Sequence, residues 1–172
     1  MRAAAGGSST DNVVEIDMVV NVGKVLSHDW GYVESEIAQI NDAVTRDGGG
    51  ILKVIFENDY LGDGEIVRLC EICTRVGVAF VKTSTGYGFV KGDDGRYGYA
   101  GATARQVRLM REHVGSGVGI KAAGGVRTLD DVLLMRSLGV ARVGATATVA
   151  ILEEARGRGI GEEEVEVEFR AG

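Results

Sequence analysis

The chain has 172 residues, 45% of them hydrophobic and 26% charged, and its formal net charge is −6 at pH 7. This composition is typical of one globular domain with a sizeable core and excludes a disordered chain. The negative charge argues against nucleic acid or an anionic membrane as a partner. No apolar run reaches the roughly 18 residues of a membrane span, and MRAAAGGSST lacks the apolar core of a signal peptide. We therefore expect a cytoplasmic protein.

Five short apolar runs, rich in β-branched residues, predict strands that are buried on both faces. They lie at residues 15–22, 51–56, 78–83, 118–123 and 140–146. A helical pattern follows each of them, as in 32–49, where Val33, Ile37, Ile40 and Val44 share one face. Two of the later helices open with potential capping boxes, Thr103 with Gln106 and Thr128 with Asp131.

Strand–helix alternation at about 30 residues per unit indicates βαβ construction and a parallel sheet. A Rossmann fold is disfavoured because no G-x-G-x-x-G follows the first strand. The predicted fold is α/β, a (β/α) barrel of the TIM type with about five of its eight units present. We expect a flexible segment at 1–12, the partial barrel at 13–160 and an acidic tail at 161–172. A glycine-rich loop at 88–101 should lie over the site or beside it.

Cys70 and Cys73 form a C-x-x-C pair, which in other contexts indicates redox chemistry or a metal. Here the surrounding pattern is helical and no second Cys or His pair completes a zinc site. Two buried thiols on a helix are the favoured interpretation, and neither a metal nor another cofactor is predicted.

Charged side chains stand at the ends of the predicted strands, where parallel α/β folds bind their ligands. Asp17, Lys53, Lys82 and Lys121 occupy four successive strand ends. Two ammonium groups in one partly dry pocket repel, and both effects lower a lysine pKa, leaving a neutral amine that can attack a carbonyl. We expect Lys82 and Lys121 to form such a pair and Asp17 to move protons. The alternative is that these lysines only pair with acids at the rim.

Two glycine-rich turns, AAGGVRT at 122–128 and RVGATA at 142–147, each precede a predicted helix. Backbone N–H groups at helix N-termini bind anions, and barrels often hold phosphate after their last two strands. Tight turns alone would also explain the glycines. Arg127 beside the first turn favours a substrate that carries phosphate.

Together these motifs resemble deoxyribose-phosphate aldolase, a class I aldolase with a (β/α)8 barrel. The resemblance extends from about Val14 to about Ala155 and rests on EIDMVVNVG, LKVIFE, FVKTSTGYG, IKAAGGVRT and RVGATA. It implies reversible cleavage of 2-deoxyribose 5-phosphate to glyceraldehyde 3-phosphate and acetaldehyde without a metal. Lys82 would form the Schiff base, Lys121 would lower its pKa and Asp17 would belong to the proton relay.

The resemblance also implies which residues hold the phosphate group of the substrate. These are Gly86, Gly124, Gly125, Arg127, Gly144 and Thr146. Lys53 and Thr83, at the ends of the second and third predicted strands, are further candidates for substrate or phosphate binding.

The chain departs from the family pattern in three places. Family members begin with three strand–helix units that Met1–Thr10 does not resemble, so we expect an N-terminally truncated member. Tyr87 stands where some members have a phosphate-facing lysine, and Ala147 where some have a serine. Two alternatives therefore stay open, an inactive remnant that at most binds a sugar phosphate and a phosphate-binding barrel enzyme without an imine. A homo-oligomer is left open as well.

Overall fold

The computed structural model describes residues 13–46, 49–92, 94–163 and 165–169. Its strands, in chain order, are β1 (Glu15–Val19), β2 (Ile51–Ile55), β3 (Phe80–Lys82), β4 (Val90–Lys91), β5 (Tyr97–Gly98), β6 (Gly119–Ala123) and β7 (Arg142–Gly144). Its helices are α1 (Val22–Leu26), α2 (Trp30–Thr45), α3 (Asp63–Val76), α4 (Ala104–His113), α5 (Leu129–Ser137) and α6 (Thr148–Gly157), with a 3-10 turn at Asn58–Tyr60.

Five of the strands form one parallel sheet in the order β1-β2-β3-β6-β7. The other two, β4 and β5, pair antiparallel as a short hairpin between β3 and α4. Each strand of the large sheet follows its neighbour through a helical connection, as the alternation of strand and helix patterns predicts.

The outer face of the sheet carries the core because side chains alternate between the two faces of a strand. Register pairing aligns Met18, Val54, Val81 and Ile120 across four strands, and the last three are fully buried. They belong to one core cluster with the apolar faces of α2, α3 and α4. The opposite face of the same strands is therefore left to the charged residues.

An ion pair between the first and last strands shows how strongly the sheet curls. Arg142 on β7 donates to the carboxylate of Glu15 on β1. In a flat sheet, four steps of about 4.8 Å would hold these strands about 19 Å apart, beyond the reach of two side chains. The five strands thus form a curled half-barrel, and the charged face is its concave interior. This confirms the predicted partial TIM-type barrel.

Helix caps explain where the outer helices begin. The Thr128 side chain accepts from the N–H of Asp131, whose carboxylate accepts from Thr128, so the predicted capping box opens α5. Thr103 caps α4 as predicted, accepting from the N–H of Gln106. The side chain of Gln106 instead accepts from the Thr103 hydroxyl, so the second half of that box does not form.

The predicted strands and helices lie where the sequence placed them, with three local differences. The first predicted strand is too long, because the chain turns at Asn21, which caps α1. The 3-10 turn was not predicted. The glycine-rich loop contains the short hairpin and places Tyr99 beside the site.

Cys70 and Cys73 are buried free thiols on α3, as predicted. The predicted flexible segment 1–12 lies outside the described residues. Residues 161–163 and 165–169 form neither helix nor strand, and the acidic tail stays a prediction. Within the described ranges, no helix is both long enough and apolar enough to cross a membrane.

Candidate active site

Three lysine ammonium groups converge on one carboxylate inside the half-barrel. Lys82 Nζ and Lys121 Nζ both donate to Asp17 Oδ2, at 2.8 Å and 2.7 Å. Lys53 Nζ donates to the other oxygen, Oδ1, at 2.8 Å. The two lysines that the sequence paired are therefore neighbours that share a single oxygen atom.

Strand register brings these side chains together. Of the four predicted strand ends, only Lys82 ends its strand, whereas Asp17, Lys53 and Lys121 each lie in the middle of a five-residue strand. Lys82 pairs with Lys121 across β3 and β6, and Asp17 pairs with Lys53 across β1 and β2. All four side chains alternate onto the concave face, opposite the apolar residues that pack under the helices. The same rule that buries Val81 and Ile120 outward thus turns Lys82 and Lys121 inward.

Burial and ion pairing act against each other on the Asp17 carboxyl. Partial burial raises the pKa of Asp17, but hydrogen bonds from Lys121, Lys53 and Lys82 outweigh it and hold that pKa well below its usual value. For Lys53, burial lowers the pKa, and the hydrogen bonds to Asp17 and Glu15 more than offset it, so the net pKa is raised. Asp17 is therefore an anion, and Lys53 a cation, throughout the neutral range.

A cleft of about 310 Å³ opens beside Lys82 and Lys121. The residues that the sequence predicted as phosphate ligands all line it, namely Gly86, Gly124, Gly125, Arg127, Gly144 and Thr146. Thr85, Tyr87 and Tyr99 complete the polar part of its wall. Lys82 and Lys121 line the same cleft as these glycine turns.

The two glycine turns offer anion sites of different quality. Gly124 and Gly125 have positive φ angles of 85° and 77°, a conformation that other residues rarely adopt. At α5, the Asp131 carboxylate accepts from the N–H groups of Arg127 and Thr128 and so fills that helix terminus. At α6, the N-cap residue Ala147 makes no side-chain cap. The open N-terminus of α6 is thus the better place for a phosphate group.

Two acidic residues that the sequence analysis missed fix the loops around the cleft. Glu57, which is buried and left-handed at φ 60°, accepts from Thr85 N at 2.9 Å and Thr85 Oγ1 at 2.6 Å. Asp59 accepts from the N–H groups of Ala100 and Gly101. No local pattern marks these carboxylates, since their partners lie 28 and about 41 residues away.

A second missed pair, Glu15 and Arg142, lies at the other end of the strands. Glu15 precedes Asp17 by two residues and so shares its face of β1, a signal that strand alternation does provide. Besides accepting from Arg142, Glu15 accepts from Lys53 Nζ at 2.8 Å.

Two of the predicted substrate-binding residues, Lys53 and Thr83, do not line the cleft. The Lys53 side chain is only 4% exposed, does not line the cleft and is held between Glu15 and Asp17. Thr83 is fully buried, and its hydroxyl donates to Ala123 O and accepts from Ala123 N. Lys53 thus orders two carboxylates, and Thr83 joins the ends of β3 and β6.

In the part of the chain that the structure describes, no three His, Cys, Asp or Glu side chains are grouped as metal ligands.

Curated relatives match most of this chain. Deoxyribose-phosphate aldolase from Rhodopirellula baltica is 47% identical over 155 residues, which cover 90% of this chain and 60% of that protein. Deoxyribose-phosphate aldolase 1 from Cutibacterium acnes is 49% identical over 142 residues, covering 83% and 59%. The chain thus spans about 60% of the length of these relatives. No protein-family model matches it.

A solved structure agrees with these relatives. Deoxyribose phosphate aldolase from Aeropyrum pernix, described as a unique tetramer, superposes with a TM-score of 0.69 at 27% identity over 84% of this chain and 56% of that one. The similarities in sequence and in fold together confirm the family resemblance stated from the sequence motifs.

Proposed function

We propose that this chain, which is homologous to deoxyribose-phosphate aldolases over most of its length, is a lyase that cleaves 2-deoxyribose 5-phosphate. The products would be glyceraldehyde 3-phosphate and acetaldehyde. The observation that supports this most directly is the Asp17 oxygen shared by Lys82 and Lys121 beside a glycine-lined cleft. An amine poised between a carboxylate and a second ammonium is suited to imine chemistry.

Binding would place the phosphate group at the open N-terminus of α6 and the Gly124–Gly125 turn, with Arg127 adding positive charge. The aldehyde carbon of the open-chain sugar then lies towards Lys82. In this orientation, the binding energy of the remote phosphate group positions the reacting carbon.

Lys82 would attack the aldehyde as the neutral amine, and loss of water from the carbinolamine gives the protonated imine. The C3 hydroxyl then loses its proton and the bond between C2 and C3 breaks. The electron pair of that bond moves into the imine to give an enamine. Glyceraldehyde 3-phosphate leaves. Protonation of the enamine at C2 and hydrolysis release acetaldehyde and regenerate Lys82.

Asp17 and Lys121 would serve the proton transfers of this cycle. Asp17 accepts from both lysines, so a proton leaving Lys82 has an acceptor at 2.8 Å and a second ammonium on the same oxygen. Lys121 also keeps positive charge beside Lys82 after imine formation, which favours the electron flow into the imine.

Trapping tests this proposal. Incubation of the chain with acetaldehyde and cyanoborohydride should add one ethyl group, and peptide mapping should place it on Lys82. Lys82→Ala should abolish both the adduct and the cleavage of 2-deoxyribose 5-phosphate. Lys91→Ala, at an exposed lysine of the hairpin, is the matched control and should keep both. An adduct that survives in Lys82→Ala would refute the assignment.

The alternative is a chain that binds a sugar phosphate without cleaving it. The observation that favours it is the open half-barrel, in which β1 and β7 each have a strand neighbour on one side only among the described residues. Catalysis needs a rigid, enclosed site. Binding of 2-deoxyribose 5-phosphate by calorimetry, without adduct or cleavage, would establish this alternative.

A cytoplasmic location and self-association remain proposals. The Aeropyrum pernix relative is described as tetrameric, and sedimentation velocity of the purified chain would determine whether it associates.

A further inference from the structure

We infer that Glu15 and Arg142 are positioning residues of the proposed active site, an ion pair that holds Lys53 against Asp17 and balances the charge facing Lys82 and Lys121. The inference rests on the proposed function and adds to it two residues that have no part in the imine chemistry itself. It starts from a continuous series of contacts that runs from β7 through β1 to the lysine pair.

The series of contacts begins with Arg142. Its guanidinium donates to Glu15 and lies over the Phe80 ring, 4.6 Å from the ring centroid. The ring occupies space that Gly119 leaves free, because a Cβ at Gly119 would come within 2.4 Å of it. Arg142 is therefore fixed on two sides at the start of the strands.

The series of contacts continues through Glu15 and Lys53 to the site. Glu15 accepts from Lys53 Nζ at 2.8 Å, and the same nitrogen donates to Asp17 Oδ1 at 2.8 Å. Because Lys53 is almost fully buried between these two carboxylates, the Glu15 charge determines how strongly Lys53 competes with Lys82 and Lys121 for Asp17.

The concave face carries six charged groups, at least one from each strand of the sheet. They are Glu15 and Asp17 on β1, Lys53 on β2, Lys82 on β3, Lys121 on β6 and Arg142 on β7. Removing Glu15 would leave this face with an extra positive charge beside the lysines. Removing Arg142 would do the reverse.

The test measures the pH at which each lysine becomes reactive, which needs no enzymatic activity. Brief labelling with acetic anhydride from pH 6 to 11, followed by peptide mapping, gives a midpoint for Lys82 and for Lys121. Glu15→Gln should lower both midpoints by roughly 0.5 to 1 pH unit, and Arg142→Gln should raise them by a similar amount. The double variant should return towards the wild-type midpoints.

Controls separate charge from structural damage. Arg105→Gln breaks an exposed ion pair with Asp63 on the outer helices and should shift neither midpoint. Glu15→Asp and Arg142→Lys keep the charges, and their labelling midpoints should stay near those of the wild type. These two variants also keep the test possible if a Gln variant fails to fold. Shifts in the same direction for both Gln variants, or none in either, would overturn the inference.

The same preparations distinguish the two proposals. Acetaldehyde adducts on Lys82 without opposed midpoint shifts would overturn the role of Glu15 and Arg142 and leave the aldolase proposal standing. Opposed shifts without any adduct would establish the charge balance and refute the aldolase proposal alone.

Discussion

The carboxylate of Asp17 accepts from three ammonium groups whose side chains are between 4% and 18% exposed. In most proteins one lysine near one aspartate would be a rim ion pair of little energetic value. Here, the three cations share the Asp17 carboxylate in the concave face, and only Lys53 has a second anionic partner, Glu15, among the described residues. Asp17 is therefore both a structural counter-ion and the proposed proton acceptor.

Asp17→Asn should lower the free energy of unfolding by about 2–4 kcal/mol, because three partly buried cations lose their anion and the amide NH2 faces donors. Urea unfolding at pH 7 measures it. Asp63→Asn, in a surface pair with Arg105, is the matched control and should cost less than about 1 kcal/mol. Equal effects of the two substitutions would contradict the central role of Asp17.

The stability gap between wild type and Asp17→Asn should depend on acid pH. The native pKa of Asp17 lies below the ordinary value of 3.8, so its contribution is present above that value and is lost as the pH falls towards the native pKa. The gap measured by urea unfolding should thus stay constant from pH 7 to 5 and narrow below about pH 4. A stability difference that widens in acid would contradict the lowered pKa of Asp17 in the native chain.

At the scale of elements, the loop that follows the β4–β5 hairpin packs onto the turn after β6, where Gly101 meets Gly124. Gly101 has φ 68°, and a Cβ there would lie 2.5 Å from the carbonyl carbon and oxygen of Gly124. Ala102 N donates to that carbonyl at 3.0 Å, and Asp59 holds the neighbouring N–H groups. The phosphate-binding turn of the proposed site is thus supported by a loop that is distant in sequence.

Gly101→Ala should lower the free energy of unfolding by about 2 kcal/mol or more and weaken inorganic phosphate binding by about tenfold, since the loop must move away from Gly124. Thermal unfolding and calorimetry measure the two effects. Gly95→Ala, in the same segment at φ 77° with open space around it, isolates the strain of a positive φ and should leave phosphate binding intact. Equal phosphate affinities in the two variants would refute the contact argument.

At the scale of the whole molecule, a main apolar core joins the outer face of the sheet to the helices from α1 to α5. Its buried residues run from Met18 on β1 to Val140 just before β7 and include Cys70 and Cys73. Burial raises the pKa of Cys70 to about 12 and that of Cys73 well above its ordinary value. Both thiols are thus protected by the same core that holds the half-barrel together.

The cysteines should therefore report whether the five-stranded unit is stable by itself. At pH 8, a disulfide reagent such as DTNB should label neither thiol of the native chain and both in denaturant, with a rate that follows global unfolding. Ser137→Cys, at an exposed position, should add one thiol that reacts at once. Rapid labelling of Cys70 and Cys73 without denaturant would mean that the half-barrel does not form a closed core.

The five parallel strands, their helices and the proximity of Lys82 and Lys121 could be predicted from the sequence alone. The alternation of strand and helix along the chain, and of side chains between the two faces of a strand, can be recognised in short stretches of sequence. Similarly, the spacing of Thr128 and Asp131 predicted the capping box at the start of α5. The N-termini of α5 and α6 differ in one residue, since Thr128 caps the first and Ala147 makes no side-chain cap at the second. This difference could be interpreted only once the positions of the two turns were known.

Only the tertiary structure decided what surrounds those lysines. The pairing of Glu15 with Arg142 spans 127 residues and exists because the sheet curls. Glu57 and Asp59 bind loops 28 and about 41 residues away, and Lys53 pairs with two carboxylates on its neighbouring strand. No local pattern encodes such contacts, because the partner of a charged side chain is chosen by curvature and burial that arise only when distant strands assemble.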